Sequence, residues 1–531
     1  MSYLIRKDRG NNQYQNLNKD GSSLYNNLRK HSIISSLILS VCLVFLIFSL
    51  WNFTRSLQKT ERHILFLNTK QSLLQTTSTK FLSFGLDSSL LRNMKKFPLL
   101  EKKFINLARH LSPAYVRIGG TSADCLYFNE TIDNSSEIID NDISNFTITE
   151  QDFLHLYKFV EKSKLRMLFD FNVLLRNSNG TWNNNNAREI LNFAKSQKMS
   201  IDWQLGNEPN SFHHVFNINI SAQQLAEDYY NLRLLLNEIG FEDSILIGPE
   251  ANHIGDTDNE SQRGDKYVKE FLDNNKNSVN FVSWHQYYLN GREAKVEDFL
   301  NPQIFNILSN QIKFLQQAIN SVEKNISMWL SETGSAFGGG APEMSDRFIA
   351  GFLYLDKLGY SASVGHQVVI RQSFFGGNYA MVGPDLNPNP DWWLSVFYKE
   401  FVSNKVLKLE TPNNFGTLRL YAHCTADKSL INKMPAITVY GMNLNNYPIK
   451  ILIQGFKSSF KNSVIFLYTL TADNLQSRTI KMNGEELKLL SNGDLPPFNP
   501  VVQQIGQFIT LPAHSMIFMV MHGVKMSACY G

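Results

Sequence analysis

Two glutamates stand where apolar runs stop abruptly. In "DWQLGNEPN", residues 202–210, a strand-like run from Ile201 to Leu205 ends in Gly206 and is followed by Asn207, Glu208 and Pro209. Proline has no amide hydrogen and a fixed φ, so the chain must turn away there. In "MWLSETGSAFGGGAP" a second apolar run ends in Glu332. A pair of carboxyl groups is what glycoside hydrolysis requires: one protonates the leaving oxygen while the other attacks the sugar or directs water. The donor must rest protonated and the attacking group ionised, roles assigned to Glu208 and Glu332. Glu208 would then take a proton from water in the second step. Asn207, beside the acid, can donate a hydrogen bond to a sugar hydroxyl. Carboxyl groups about 5–5.5 Å apart imply a covalent glycosyl-enzyme and retained configuration. Either acid alone is equally what a polar surface turn looks like; equivalent positions in one fold are what make a pair.

The elements around them meet that condition. Strand-like runs fall at Phe81–Leu86, Tyr115–Ile118, Arg166–Phe171, Ile201–Leu205, Ile245–Gly248, Phe281–His285, Met328–Leu330 and Val368–Ile370. Amphipathic stretches alternate with them: Leu99–Arg109, Phe153–Lys162, Ala187–Lys198, Ala222–Ile239, Tyr267–Leu272, Ile304–Ile319, Asp346–Leu358 and Trp393–Val402. Eight such pairs predict an α/β chain folded as a (β/α)8 TIM barrel over 80–404. Catalytic groups of such barrels sit at the C-terminal ends of strands, and Glu208 and Glu332 end the fourth and seventh. A doubly wound open sheet is the alternative, but its glycine-rich phosphate turn is missing. From about residue 405 the runs "LRLYAHC", "AITVYGMNLN", "VIFLYTLTA" and "FITLPAHSMIFMVMHG" have no helices between them. They read as a β-sandwich over 405–531. Segment 54–79 is either a stalk or an extra strand of that sandwich, and 129–148 an exposed loop.

Charge is nearly balanced, 51 basic against 47 acidic residues in 531, which gives no support for a nucleic-acid partner. No C-x-x-C, Walker or dinucleotide motif is present, so no metal or cofactor is expected. Residues 32–53 carry no charge and are long enough to cross a bilayer. The preceding arm, 1–31, is basic, so the expected topology is a single-pass signal-anchor with a cytoplasmic N-terminus and the remainder extracellular or lumenal. A cleaved secretory signal, giving a secreted or lysosomal protein, is the rival; the apolar run is long for one. Glycosylation sequons at Asn129, Asn134, Asn145, Asn179, Asn219, Asn259 and Asn325 suit that route. Cys42 lies in the apolar run. Cys424 and Cys529 can pair in an oxidising compartment, which would leave Cys125 free.

From about residue 80 to the C-terminus the chain resembles the heparanase-type glycoside hydrolases of family 79. The resemblance rests on "LARHLSPAYVRIGGTSAD", "LGNEPNSF", "WHQYYLNGR", "SETGSAFGGGAP", "FLYLDKLG", "VVIRQSFFGGNYAMV" and "YAHC". It implies a barrel plus β-sandwich and retaining endo-β-glucuronidase action on heparan sulfate. It implies that Glu208 is the proton donor and Glu332 the nucleophile, with Asp87 and Thr121 as minus-side contacts. His285, Tyr287 and Arg292 would line the cleft, Arg292 as a bidentate partner of a carboxylate or sulfate. The backbone at Gly338 and Gly339, with Gly377, Asn378 and Tyr379, would hold the uronate. Cys424 and Cys529 match the family's sandwich disulfide. Two features depart from the family pattern. The segment between Phe128 and Phe153 is short and acidic where some members carry a long excised linker, which favours a single chain. Lysine and arginine clusters beside the cleft are absent, which favours a less sulfated glucuronide. The rival functions are an exo-β-glucuronidase on another glycan and a non-catalytic heparan sulfate-binding protein.

Overall fold

The computed structural model describes residues 34–49, 61–131, 143–255, 262–322, 324–411, 416–456 and 463–530. The chain divides into two compact units, 1–61 and 62–531. In the first, residues 34–49 form a helix with exposed apolar side chains such as Leu39 and Phe45. Both ends of the apolar run 32–53, and all of the arm 1–31, lie outside the described residues. Among the described residues no helix is long and apolar enough to cross a membrane.

The second unit is built on eight parallel strands: β1 (Leu82–Asp87), β2 (Tyr115–Gly119), β3 (Arg166–Phe171), β4 (Ile201–Leu205), β5 (Ile247–Ala251), β6 (Phe281–Gln286), β7 (Met328–Thr333) and β8 (Val368–Arg371). They pair in the order β4-β3-β2-β1-β8-β7-β6-β5. The two ends meet through a parallel bridge between Trp203 and Leu246, where the Trp203 amide donates to the Ile245 carbonyl at 2.9 Å. The sheet is therefore a nearly closed barrel. Each strand leads to a helix: α1 (Lys102–Arg109), α2 (Glu150–Lys162), α3 (Asn185–Ser196), α4 (Ala222–Ile239), α5 (Gly264–Asn274), α6 (Pro302–Ser321), α7 (Ala350–Ser363) and α8 (Pro390–Phe401). Local chemistry sets several ends. Thr149 and Asp152 close a capping box on α2, and Gly240, at φ 89°, ends α4.

Side chains alternate along each strand, and this stacks two layers inside the barrel. Tyr115, Leu168, Ile247, Trp329, Val368 and Ile370 form an apolar plug, with the Tyr115 and Trp329 rings 4.8 Å apart. Two residues further along β2 and β3 come Arg117 and Asp170, both buried. Apolar packing below thus forms a dry floor for charged groups above.

The sandwich consists of a long antiparallel sheet that includes Val402–Leu407, Leu418–Thr425, Ala436–Asn443, Ser515–His522 and Val464–Thr471, facing a three-stranded sheet of Arg62–Phe66, Ile449–Gln454 and Ile509–Leu511. Segment 54–79 contributes to both: Arg62–Phe66 runs parallel to Ile449–Gln454, and Gln75–Thr76 pairs with Val402–Leu407. Cys424 and Cys529 form a disulfide across 105 residues of chain, while Cys125 is free and buried. The long sheet also packs on the barrel. Arg419 lies 3.1 Å from Asp356 of α7, and the Tyr421 hydroxyl donates to Asp356 at 2.6 Å. Gly359 lets the elements close, since a Cβ there would fall 2.1 Å from the Tyr421 ring.

Of the elements whose bounds differ from expectation, three have a clear local cause. Strand five, read as Ile245–Gly248, is Ile247–Ala251, because Ile245 and Leu246 are drawn into the barrel-closing bridge. Helix seven, read as Asp346–Leu358, begins at Ala350 and continues to Ser363; turns occupy the residues after "GGGAP". Helix eight, read as Trp393–Val402, starts at Pro390, a residue preset for a first turn.

Removing one partner of a buried ion pair leaves an uncompensated charge at a cost of about 3–5 kcal/mol. Arg419→Leu is therefore expected to lower unfolding stability by about that amount, measured by urea titration of the whole chain. An unchanged midpoint would show that the Arg419–Asp356 contact does not hold the two domains together.

Candidate active site

Glu208 follows β4 in the left-handed region, at φ 57° and ψ 52°. That conformation costs a non-glycine residue about 1–2 kcal/mol. It is held because the Ser211 amide donates to the Glu208 carbonyl at 2.8 Å and the Glu208 amide donates to the Glu250 carbonyl at 3.2 Å. Pro209 then opens a short helical turn, Pro209–Ser211. The carboxylate accepts from His285 Nδ1 at 2.8 Å and from Asn252 Nδ2 at 2.7 Å, and its side chain is 25% exposed. Glu332 sits at the end of β7, nearly covered. Its Oε1 accepts from the Tyr287 hydroxyl at 2.8 Å and its Oε2 from Arg117 Nη1 at 2.6 Å. Carboxylate oxygens of Glu208 and Glu332 and a His285 ring nitrogen all lie within 4.8 Å of one another.

Arg117 is the hub. Besides Glu332, it donates to Gln204 Oε1 at 3.2 Å, Asn207 Oδ1 at 2.8 Å and Glu250 Oε2 at 3.2 Å, and it lies 3.7 Å from Asp170. The guanidinium presents its donors as a rigid fork, so one side chain sets the positions of several others. It also fixes Asn207. The amide oxygen is taken by Arg117, which leaves Nδ2 for another acceptor, and the Asn207 amide donates to Asp124 at 2.9 Å. Gly334 is bare because a Cβ would meet the Tyr287 ring at 2.9 Å; the hydroxyl can thus reach Glu332.

The electrostatics separate these groups. Burial alone would raise the Glu332 carboxyl, but the His285 and Arg117 charges and the Tyr287 and Arg117 hydrogen bonds outweigh it and hold the group below the ordinary range. Glu250 is lowered against its own burial by His285 and Arg117. Burial would lower His285, yet Glu332's charge and the bonds to Glu208 and Glu250 push it up to about 10. Asp124 is pushed up to about 7 by burial, partly offset by the Asn207 and Val173 amides. Asp170 is raised well above its usual range by burial and by Asp124. The spacing of Glu208, His285 and Glu332 could bridge a cation. However, the imidazolium already donates from Nδ1 to Glu208 and from Nε2 to Glu250 at 2.8 Å each, so it offers no lone pair and the set does not suit a metal.

The remaining site residues fall around the same mouth. Asp87 ends β1 and accepts from Gln372 Nε2 at 2.9 Å, and Gly120 leaves room for it, since a Cβ would lie 2.7 Å from its Oδ2. Thr121 opens the turn after β2. Tyr379 hydrogen-bonds Gln372. The Asn378 amide donates to the Gly339 carbonyl at 2.7 Å, and Gly377 lies against the same carbonyl. Gly338 and Gly339 have open space where a side chain would be. Arg292 is exposed, and Leu289–Asn290 beside it pairs with Ala336–Phe337. His285, expected to line the cleft, is only 3% exposed and lies beneath the acids as a bridge.

Arg117, Glu250, Asp124, Gln372 and Asn252 were not singled out from the sequence. Arg117 had a readable signal: a cation in "YVRIG", an otherwise apolar strand. Glu250 was hidden by the two-residue displacement of strand five.

Two carboxylates stand at the ends of β4 and β7, one held below the ordinary range and the other open to solvent, an arrangement of the kind that glycoside hydrolysis uses. Sequence comparison gives the family. Residues 86–359 match the glycosyl hydrolase family 79 N-terminal domain, and the chain belongs to that family. It is 34% identical to the heparanase of Rattus norvegicus, covering 86% of this chain and 92% of the relative. It is 30% identical to the inactive heparanase-2 of Mus musculus, covering 86% and 88%. A solved Fusarium oxysporum 4-O-α-L-rhamnosyl-β-D-glucuronidase shares the fold, with a TM-score of 0.64 and 15% identity over 86% of this chain and 99% of that one.

The raised groups predict how stability varies with pH. His285's contribution is full below its ordinary value of 6.5 and is lost as pH rises through about 10. Asp124, raised from 3.8 to about 7, likewise removes stability as pH rises between those values. Glu250 and Glu332 are lowered, so their contributions are present above the ordinary 4.5 and fail in stronger acid. The thermal midpoint should peak in mild acid and fall toward pH 10. His285→Gln should lower the midpoint in mild acid and narrow its gap from the parent at high pH. Parallel curves for the two proteins would refute the bridging charge.

Proposed function

We propose that the chain is a retaining endo-β-glucuronidase acting on heparan sulfate-type glycosaminoglycans. The observation that carries this reading is that an oxygen of Glu208 and one of Glu332 lie within 4.8 Å of each other, closer than the roughly 6.5–9.5 Å that an inverting pair keeps open for water. In the first step a Glu332 oxygen attacks the anomeric carbon. The bond to the leaving oxygen breaks, and that oxygen takes the proton of Glu208. In the second step Glu208 removes a proton from water, which attacks the same carbon and releases the Glu332 carboxylate. Tyr287 and Arg117 keep Glu332 aimed throughout. His285, Asn252 and the turn at Pro209 hold Glu208.

The likeness to heparanases supports a glucuronate-bearing polymer as substrate. The open backbone at Gly338 and Gly339, with Gly377, Asn378 and Tyr379, is assigned to the uronate, and the exposed Arg292 to its carboxylate or to a sulfate. Asp87, Thr121 and the free end of Asn207 are assigned to hydroxyls on the minus side. We also assign residues 32–53 to a signal-anchor, with the arm 1–31 cytoplasmic and the catalytic unit extracellular or lumenal. The uncharged run, its basic flank and the Cys424–Cys529 disulfide support this. So do the sequon asparagines Asn129, Asn145, Asn179, Asn219 and Asn325, all of which are exposed.

The test is cleavage of size-defined heparan sulfate at mildly acid pH by the parent, Glu208→Gln and Glu332→Gln. Mid-chain shortening that falls at least about 10³-fold in both variants is expected. Binding without shortening would replace the reading with a non-catalytic binding protein. Release of single glucuronate units would replace it with an exo-enzyme. Cleavage of unsulfated hyaluronan alone would overturn the substrate.

A further inference from the structure

A cation-lined groove of about 750 Å3 lies outside the mouth, between the barrel and the sandwich. Its walls are the start of α1, the outer part of the loop after β8 at Asn387 and Pro388, and the sandwich segment from Arg478 to Gly493. Lys102, Lys103, Arg478 and Lys488 line it against one acid, Glu486. Glu486 lies 3.1 Å from Lys488 and Arg478 lies 3.6 Å from Asp385, so these two cations are partly offset. Lys103 donates to Asn387 at 2.8 Å. Among the described residues, neither Lys102 nor Lys103 has an acidic partner.

The position of these lysines is not one that helix stability selects. They are the first two residues of α1, whose first turn holds no acid and whose N-cap, Glu101, makes no capping bond from its side chain. A helix N-terminus carries partial positive charge and disfavours added cations. A local rule broken without a stabilising return marks a position kept for another purpose. The groove has the other attributes of a saccharide site. Trp393, Leu487 and Leu489 line it with apolar surface, while Asn106 and Asn492 add amides. Mixed apolar lining with a few placed polar groups is the usual composition of a ligand site.

The groove is joined to the mouth through one loop. Arg478 donates from Nε and Nη2 to Asn389 Oδ1 at 3.0 Å each, and Asn389 Nδ2 donates to the Ala380 carbonyl, next to Tyr379. The same loop therefore presents Tyr379 to the mouth and Asn387 to the groove.

We propose that this groove is a second saccharide site, which holds a carboxylate- or sulfate-bearing segment of a polysaccharide whose scissile bond lies in the mouth. The ligand class rests on the proposed substrate; the site itself does not require that the chain be cut. Anchoring there would favour long chains over short ones, and its electrostatic part would weaken with salt.

The experiment compares Lys102→Glu/Lys103→Glu/Lys488→Glu, and the milder Lys102→Gln/Lys488→Gln, with the parent, all as the full chain carrying Glu332→Gln. The dissociation constant is read for labelled long-chain heparan sulfate and for a heparan sulfate tetrasaccharide, each at low and moderate salt. Expected for the triple variant is about tenfold weaker long-chain binding with a shallower salt dependence. The double variant should show a smaller loss in the same direction and an unchanged thermal midpoint. Tetrasaccharide binding should not change. Unchanged long-chain affinity in both variants would overturn the proposal. So would an equal loss for the tetrasaccharide, or no polysaccharide binding by the parent. Hydrolysis of the tetrasaccharide by the chain with Glu332 intact, run in parallel, reports on the mouth alone. Binding that depends on the groove, without cleavage, would sink the hydrolase reading and leave this one standing.

Discussion

A buried guanidinium organises this protein. Arg117 is 1% exposed, sits above an apolar plug and is surrounded by Glu332, Glu250, Asp170, Asn207 and Gln204. A charge in that position is tolerable only if it is paired and hydrogen-bonded, and the C-terminal ends of β3, β4, β5 and β7 supply the partners. The constraint acts both ways. The acids need the cation in order to stay ionised out of water, and the cation needs the barrel closed so that groups 53 to 215 residues away in sequence converge on it. Fold and chemistry therefore depend on the same contact.

His285 supplies the second positive charge. Buried between Glu208 and Glu250, it ties the acid that faces solvent to the one that does not. Two cations thus face the Glu250 and Glu332 carboxylates, and Asp170, as deeply buried as Glu250, is pushed toward its neutral form. In the proposed reaction this balance changes when Glu332 becomes an ester and loses its charge. Arg117 keeps Glu250 as a partner at that point, so the guanidinium is never left alone.

The barrel was legible because its signals are local: short apolar runs alternating with amphipathic stretches, and acids placed just after two of the runs. The cysteine pairing was open on the residues alone; the family resemblance narrowed it, and the disulfide is present. Less could be read where position depends on distant partners. The family resemblance placed His285 in the cleft, while the residues alone fitted a structural histidine equally well; Glu250, 35 residues earlier, draws its ring inward. Glu250 itself was lost when closure of the barrel moved strand five by two residues. Arg117 was visible as a cation within an apolar strand, yet its meaning lay in Glu332, 215 residues away. The groove between the domains had no sequence signature, since most of the chain separates Lys102 and Lys103 from Arg478 and Lys488.

The central claim is that Glu332, held ionised by Arg117 and Tyr287, forms a bond to the sugar. The most direct measurement is mass spectrometry of the protein after exposure to an activated 2-deoxy-2-fluoro-glucuronide, which slows breakdown of a covalent intermediate. A mass gain of one fluorosugar, on the peptide that contains Glu332 and lost in Glu332→Gln, is the expected result. An adduct on Glu208, or turnover with inverted configuration and no adduct, would contradict it.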